Sequence, residues 1–237
     1  MPTTNAPGGE ICTLMTVSGT YTCNSSRVYV QGVGPGGSGQ DGSATVAGGG
    51  ASSGQALMGQ YFPIAPGTVL TIQIGALGKQ SGTTTVSGPQ FPTLVFWGGR
   101  SANPGNPGYG EQTAGDLRGQ ATSVGSDGRQ NHGATEGAWV GGGGGGAAPA
   151  AGVADNGNEG GARCFAIVGG LSGHDATNQG AGAGGASSPF GVGGNGGNTT
   201  TAPTAGTGYG AGGGGGARGS ANLIGAAGSP SFVVLCS

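Results

Sequence analysis

Apolar and polar residues alternate in several short stretches of this chain. Residues 68–75 read Thr-Val-Leu-Thr-Ile-Gln-Ile-Gly, with leucine and isoleucine at every second position. Because successive side chains of a strand point to opposite faces, this period of two predicts a strand with one buried face. The same reasoning predicts strands between residues 11 and 34, and apolar runs predict further strands at 56–62, 91–97, 163–168 and 230–236. The continuous apolar run at 91–97 is typical of a strand that is covered on both faces. Residues 79–90 are predicted to form a polar loop, and no stretch has the period of a helix.

Glycine accounts for 63 of the 237 residues and forms runs at 141–146 and 212–216. Each glycine disfavours a helix by about 1 kcal/mol relative to alanine, so the runs are not helical. They are either flexible linkers or an ordered array of extended segments that pack closely because no Cβ atom separates them. Aromatic residues such as Trp139, Phe190 and Tyr209 interrupt the glycine-rich region, which favours the ordered array.

We therefore predict an all-β fold with essentially no α-helix. Its framework is an antiparallel β-sandwich or a jelly-roll-like arrangement, and a glycine-rich layer of extended helices packs with it. Residues 1–237 are interpreted as a single domain. Its strand framework comprises residues 11–97 and 230–236, its polar excursion residues 100–137, and its glycine-rich insertion residues 138–229. The last run, residues 230–236, is predicted to be a central strand that pairs with the early strands.

The charge of the chain limits its partners. Only 7% of the residues are charged, and the formal net charge is −2. Nucleic-acid binding requires a basic surface, so we expect no nucleic-acid partner. No apolar run approaches the roughly 20 residues of a membrane-spanning helix, so we expect no membrane insertion. The first residues lack the features of a signal peptide.

The four cysteines do not have the spacing of a zinc site, and we expect neither a metal nor a cofactor. One interpretation makes them small buried apolar side chains. In another, Cys12 and Cys23, which flank a predicted turn, form a disulfide across a hairpin. Without a secretion signal, such a bond would form after release from the cell.

Nothing in the sequence marks a catalytic site. The 9 carboxylates are scattered, and no Gly-Lys-Ser/Thr motif follows the glycine runs to bind a phosphate. We therefore expect a protein without enzymatic activity and assign no catalytic residue. A glycan depolymerase, in which two loop carboxylates meet in space, is the minor alternative.

The polar excursion contains the candidate binding residues. Loops on a rigid scaffold often carry function, and binding hot spots favour tryptophan, tyrosine and arginine. The candidates are Tyr109, Arg118, Arg129, His132 and Trp139. The alternative is structural: Trp139 packs into the glycine array, and the arginines pair locally with Asp116 and Asp127.

The order of several motifs resembles a known family. Residues 28–37 read Val-Tyr-Val-Gln-Gly-Val-Gly-Pro-Gly-Gly, and a strand-turn-strand follows around the Ala-Pro-Gly at 65–67. Residues 94–99 read Leu-Val-Phe-Trp-Gly-Gly, and residues 225–234 read Gly-Ala-Ala-Gly-Ser-Pro-Ser-Phe-Val-Val. Nearly the whole chain thus resembles the glycine-rich domain of bacteriophage tail-fibre and related virion proteins. The glycine runs are similar to those of distal tail-fibre adhesins of T-even-like phages, in which polyglycine II helices pack as a sandwich.

The resemblance implies a structural protein of a phage virion. The expected role is a tail-fibre, tip or other exposed appendage subunit that contacts a glycan or an outer-membrane protein of the host surface. The alternative is a capsid, collar or tail decoration protein that contacts only other virion proteins. Either role implies a homo-oligomer or membership of a larger assembly, made in the host cytoplasm and exposed on the extracellular particle.

Overall fold

Short alternating strands form two antiparallel sheets in the computed structural model of the chain. It describes residues 3–5, 10–44, 47–79, 81–101, 139–140, 182, 184–185, 187–219 and 223–237. The strands are β1 (Thr3–Asn5), β2 (Ile11–Met15), β3 (Gly19–Thr22), β4 (Arg27–Val33), β5 (Ala56–Pro63), β6 (Val69–Gln73), β7 (Thr84–Gly88), β8 (Phe91–Phe96), β9 (Trp139–Val140) and β10 (Phe232–Cys236). The strands predicted within 11–75, 91–97 and 230–236 thus form with shifted ends, and the one at 163–168 lies outside the described residues.

The larger sheet has 6 strands in the order β1-β2-β10-β4-β5-β9, and the smaller has 4 in the order β3-β6-β7-β8. The last strand, β10, lies between β2 and β4 and pairs antiparallel with both. This confirms the prediction of a central C-terminal strand. The sheet order also means that β2 reaches the centre of the larger sheet only through β10.

The two sheets enclose an apolar core, as expected for a sandwich. The larger sheet contributes Val28, Val30, Leu57, Val233 and Leu235, and the smaller sheet contributes Leu70, Ile72, Val86, Leu94 and Phe96. On β6 every second residue is buried and the others are exposed, which is the pattern that the alternation predicted. The fold is therefore all-β. None of the described residues is helical. These residues therefore contain no helix that could cross a membrane.

The prediction of a polar loop at residues 79–90 is wrong, because β7 lies within it. Thr84 and Val86 are fully buried and point into the core, while Thr85 and Ser87 are partly exposed. Threonine is a good strand former because its branched side chain packs well on a pleated surface. Its polarity obscured the alternation at this site. The buried hydroxyl of Thr84 is satisfied by the Oγ of Ser231, at 2.8 Å.

Glycine-rich segments form a hydrogen-bonded array beside the sandwich. Gly213 N donates to Gly37 O and Gly216 N donates to Gln40 O, each at 3.0 Å. From the first hydrogen bond to the second, the donor and the acceptor each move three residues along the chain. This spacing matches a polyproline II helix, which has three residues per turn. The first glycine run, residues 141–146, lies outside the described residues, so the prediction for that run is untested.

The second glycine run lies at the centre of this array. Residues 211–217 form backbone hydrogen bonds with five other segments, at residues 36–40, 48–51, 194–197, 204 and 226–229. A Cβ atom added to any of the glycines 212–216 would lie 1.8–2.1 Å from a backbone carbonyl oxygen of a neighbouring segment. The segments therefore approach one another at distances that only glycine permits.

An aromatic cluster joins the array to the larger sheet. Phe232, at the start of β10, packs edge-on against Phe190 at 4.9 Å and against Tyr209 at 4.8 Å between ring centroids. Val33 and Ala56, at the neighbouring ends of β4 and β5, complete the cluster. The array thus begins where β4 ends and runs away from the sandwich.

Candidate functional site

Most of the residues chosen from the sequence cannot be placed. Tyr109, Arg118, Arg129 and His132 lie outside the described residues. Trp139 lies in β9, where its backbone pairs with Leu57 of β5, and nothing is described of its side chain. The polar excursion leaves the described part after Ser101, which pairs with Ala51 at the side of the array. These residues stay candidates.

The proposed disulfide between Cys12 and Cys23 is wrong. Cys12 is bonded to Cys236, and Cys23 is a buried free thiol. The reason is topological: β3 enters the smaller sheet, so β2 and β3 do not form the hairpin that the sequence suggested. Cys236 lies directly opposite Cys12 on the adjacent strand β10. Burial raises the pKa of the Cys23 thiol, so this side chain behaves as a small apolar residue of the core.

The direction of the glycine-rich segments brings several connections to one end of the array. Residues 36–42 and 194–197 run parallel to the central segment, because both members of each hydrogen-bonded pair rise in number together. Residues 48–51 and 226–229 run antiparallel to it. The connections that follow residues 42, 197 and 217 therefore lie at the end away from the sandwich. We call this end the tip: residues 41–44, 198–201, 218–219 and 223–224.

The tip stands well away from the sheets. From residue 36 to residue 42 an extended segment of this kind covers about 19 Å, at 3.1 Å per residue. Gly219 N donates to Ser43 O at 2.9 Å, which joins two of the connections directly. Ser43, Ala44, Thr200 and Ile224 are exposed. The tip is therefore a set of neighbouring exposed connections on a hydrogen-bonded support.

A carboxylate holds two of these connections together. Asp41 Oδ1 accepts a hydrogen bond of 3.0 Å from Gly225 N, and Asp41 Oδ2 pairs with Lys79 Nζ. The hydrogen bond from Lys79 lowers the pKa of the Asp41 carboxyl, and the bond from Gly225 acts in the same direction. The ion pair is half-exposed, so its contribution to stability is small. The hydrogen bond from Gly225 holds residues 41 and 225 side by side.

The connection at 198–201 is closed by its own side chain. Asn198 Oδ1 accepts hydrogen bonds from Thr200 N at 2.9 Å and from Thr201 N at 2.6 Å. This is the turn in which an asparagine side chain satisfies backbone groups two and three residues later. The backbone closes the same turn through Asn198 N and Thr201 O, at 2.8 Å. The turn therefore has a defined shape and presents threonine side chains to solvent.

The tip offers binding surface and little chemistry for catalysis. Ile224 is 76% exposed, which is unusual for a large apolar side chain. The other residues of the tip are mostly threonine, serine, alanine and glycine, together with Asp41, Asn198, Arg218 and Leu223. Across the described residues, no three histidine, cysteine, aspartate or glutamate side chains come together as metal ligands.

Sequence reasoning missed the tip because it looked for aromatic and charged residues. A signal was present in residues 192–198, which read Val-Gly-Gly-Asn-Gly-Gly-Asn. Every third residue has a side chain, and Val192 and Asn195 are exposed while the glycines between them are buried. Such triplets predict a three-residue helix with one outward face. The positions where this triplet pattern stops mark the connections between the extended segments.

A second exposed cluster lies at the opposite end of the larger sheet. Arg27 Nη2 and Glu10 Oε1 are 2.9 Å apart, and Tyr61 donates its hydroxyl to Glu10 Oε2, also at 2.9 Å. The Arg27 guanidinium lies over the Tyr61 ring, 4.5 Å from its centroid. The hydrogen bond to Glu10 raises the pKa of Tyr61. Because these groups satisfy one another, we interpret the cluster as a structural clamp of β2, β4 and β5.

Comparison with known proteins adds no assignment. A scan against models of protein families and a search of curated proteins both found no match to this chain.

Proposed function

We propose that this chain is a non-enzymatic structural protein of a bacteriophage virion, in a tail-fibre tip or another exposed appendage. In this proposal the glycine-rich segments are polyglycine II helices, and the tip contacts a glycan or an outer-membrane protein of the host. The observation that carries the proposal is the convergence of exposed connections at the far end of an array that is fixed by backbone hydrogen bonds.

The array suits this role for a physical reason. Its interior consists of backbone hydrogen bonds and close backbone contacts, and side chains such as Asp41 and Asn198 fix only the connections at its end. Loops on such a support are free to present different side chains while their positions stay fixed. The low charge of the chain fits a surface that is exposed without attracting nucleic acid.

Competition for adsorption tests the proposal. Purified protein at saturating concentration is expected to block attachment of phage to host cells. Ile224→Asp places a charge at the tip and is expected to abolish the competition. Val17→Asp is the matched control, because Val17 is also a large exposed apolar residue, at 60%, but lies in the turn between β2 and β3.

Two results would contradict the proposal. Full adsorption in the presence of saturating protein would remove the host-contact role and leave the decoration protein as the alternative. Equal loss of competition in both aspartate variants would show that the tip is not the contact surface. Cryo-electron microscopy of the particle would then locate the chain and its neighbours.

A further inference from the structure

The disulfide joins the edge of the larger sheet to its centre. Cys12 on β2 and Cys236 on β10 are direct neighbours in the register, with their Cα atoms 4.0 Å apart. β2 and β1 form the edge of the sheet, and their backbone pairing with the rest of the sheet runs only through β10. The bond therefore connects the edge strands covalently to the strand that also continues into the array.

β10 transmits this restraint to the array. Gly210 N donates to Pro230 O and Ser229 N donates to Ala211 O, each at 2.8 Å. Phe232 then packs in the aromatic cluster that joins array and sheet. Any motion of β10 relative to β2 would disturb both the edge of the sheet and the central glycine segment.

Non-covalent contacts already hold the two cysteines together. Cys12, Cys236, Tyr29 and Tyr61 follow one another in register across β2, β10, β4 and β5. Glu10, two residues before Cys12, spans this row to reach Arg27 and Tyr61. We therefore expect a reduced chain to retain this strand pairing and to keep the two thiols side by side.

The pairing is specific among the described cysteines. Cys23 is fully buried in the core between the sheets, together with Val28 and Leu235. Cys12 and Cys236 alternate with the core-facing residues of their strands and so lie on the other face of the larger sheet. Burial raises the pKa of the Cys23 thiol, but Cys12 and Cys236 are buried as well, with 5% and 1% of their surface exposed, so the face of the sheet is what separates Cys23 from the pair. Cys164 lies outside the described residues and is tested below.

We propose that Cys12 and Cys236 form an oxidation-dependent latch, which is open in a reducing compartment and closes when the folded protein meets an oxidant such as oxidised glutathione. Closure converts two thiols and one molecule of oxidised glutathione into the protein disulfide and two molecules of reduced glutathione. The two electrons and two protons pass from the protein thiols to glutathione. The cytosol keeps such thiols reduced, so the latch would close after the protein leaves it. This proposal does not depend on the proposed function.

Closing the latch raises stability by a predictable amount. The two cysteines are 224 residues apart in the sequence. In the chain-entropy model a long closed loop gives a large gain, which for a chain of this size corresponds to a rise in Tm of about 10–20 °C. The reduced protein is expected to melt cooperatively at the lower temperature.

Thermal unfolding of matched variants tests the latch. The wild-type protein is equilibrated in oxidised or reduced glutathione, and its Tm is compared with that of the double variant Cys12→Ser/Cys236→Ser. Oxidation is expected to raise the Tm of the wild type, of Cys23→Ser and of Cys164→Ser, and to leave the double variant unchanged. An equal Tm for the oxidised and reduced wild type, or an oxidative rise in the double variant, would overturn the proposal.

Hydrogen exchange measures the coupling to the array separately. Opening the latch is expected to increase amide exchange in β2 and β10 first, and then in residues 226–229, while β6 and β7 change least. Mass spectrometry of the intact protein measures the loss of two hydrogen atoms on oxidation. Unchanged exchange in both β2 and β10 on reduction would contradict the latch, even if the bond itself is present.

Discussion

Alanine at position 214 is expected to disrupt the array, although alanine is the smallest residue that carries a Cβ atom. Gly214 lies in the central segment and is buried. A Cβ atom at this position would lie 1.8 Å from Asn195 O, whereas real Cβ atoms essentially never approach a neighbour within 3.0 Å. The obstacle is backbone, so no side-chain rotation relieves it. The segments at 195 and 214 must therefore separate by more than 1 Å.

Such a separation breaks identifiable hydrogen bonds. Gly214 N donates to Thr204 O at 3.1 Å, and Gly214 O accepts from Ala226 N at 2.8 Å. Each buried backbone group left without a partner costs about 1–3 kcal/mol. Alanine recovers less than about 1 kcal/mol by restricting the unfolded chain. We expect Gly214→Ala to lower the free energy of unfolding by about 3 kcal/mol, and Tm by about 6–12 °C.

Calorimetry of Gly214→Ala beside a matched control provides the test. Gly82 is an exposed glycine, and a Cβ atom there would lie 3.2 Å from the nearest backbone atom, Ala76 N. Gly82→Ala is therefore expected to change the free energy of unfolding by less than about 0.5 kcal/mol. If both variants have the Tm of the parent protein, the close packing of the central segment is refuted. If the Tm of both variants falls by the same amount, the distance from the added Cβ atom to its neighbour does not explain the effect.

Three further substitutions test other contacts. Phe232→Ala should lower the free energy of unfolding by about 3–5 kcal/mol in urea titration, because it removes the ring on which the array packs. The pKa of Asp41 is lowered in the folded protein. Its carboxylate therefore contributes to the free energy of unfolding above the pKa that it has in the unfolded chain, and this contribution is lost as the pH falls through the pKa in the folded protein. Tm should therefore fall less in acid for Asp41→Asn than for the parent. The pKa of Tyr61 is raised, so stability is lost as the pH rises through its folded value. Glu10→Gln should reduce that alkaline loss of Tm.

The alternation of side chains was sufficient to predict most of the sandwich. It located β4 and β6, because burial on one face imposes a period of two. The apolar run at residues 230–236 located β10 and its central place. The alternation failed at β7, where buried Thr84 satisfies its hydroxyl through Ser231. That partner is 147 residues away, so no local pattern reveals that the threonine is an inward residue.

The disulfide was out of reach for the same reason. Cys12 and Cys23 are near in sequence, but the chain between them crosses from the larger sheet to the smaller one. Cys236 becomes the neighbour of Cys12 only after β10 inserts between β2 and β4. The pairing follows from the topology, whereas sequence reasoning had only spacing to use.

The glycine-rich region reverses the usual relation between sequence and stability. In the sandwich a change of one core side chain alters the packing, so the sequence is constrained at Leu70 or Phe96. In the array the interior consists of backbone, so the sequence is constrained to glycine at the positions where a side chain would not fit. Between the buried glycines, Val192 and Asn195 are exposed to solvent. The chain thereby separates the buried glycines that set the shape of the array from the side chains that the array exposes to solvent.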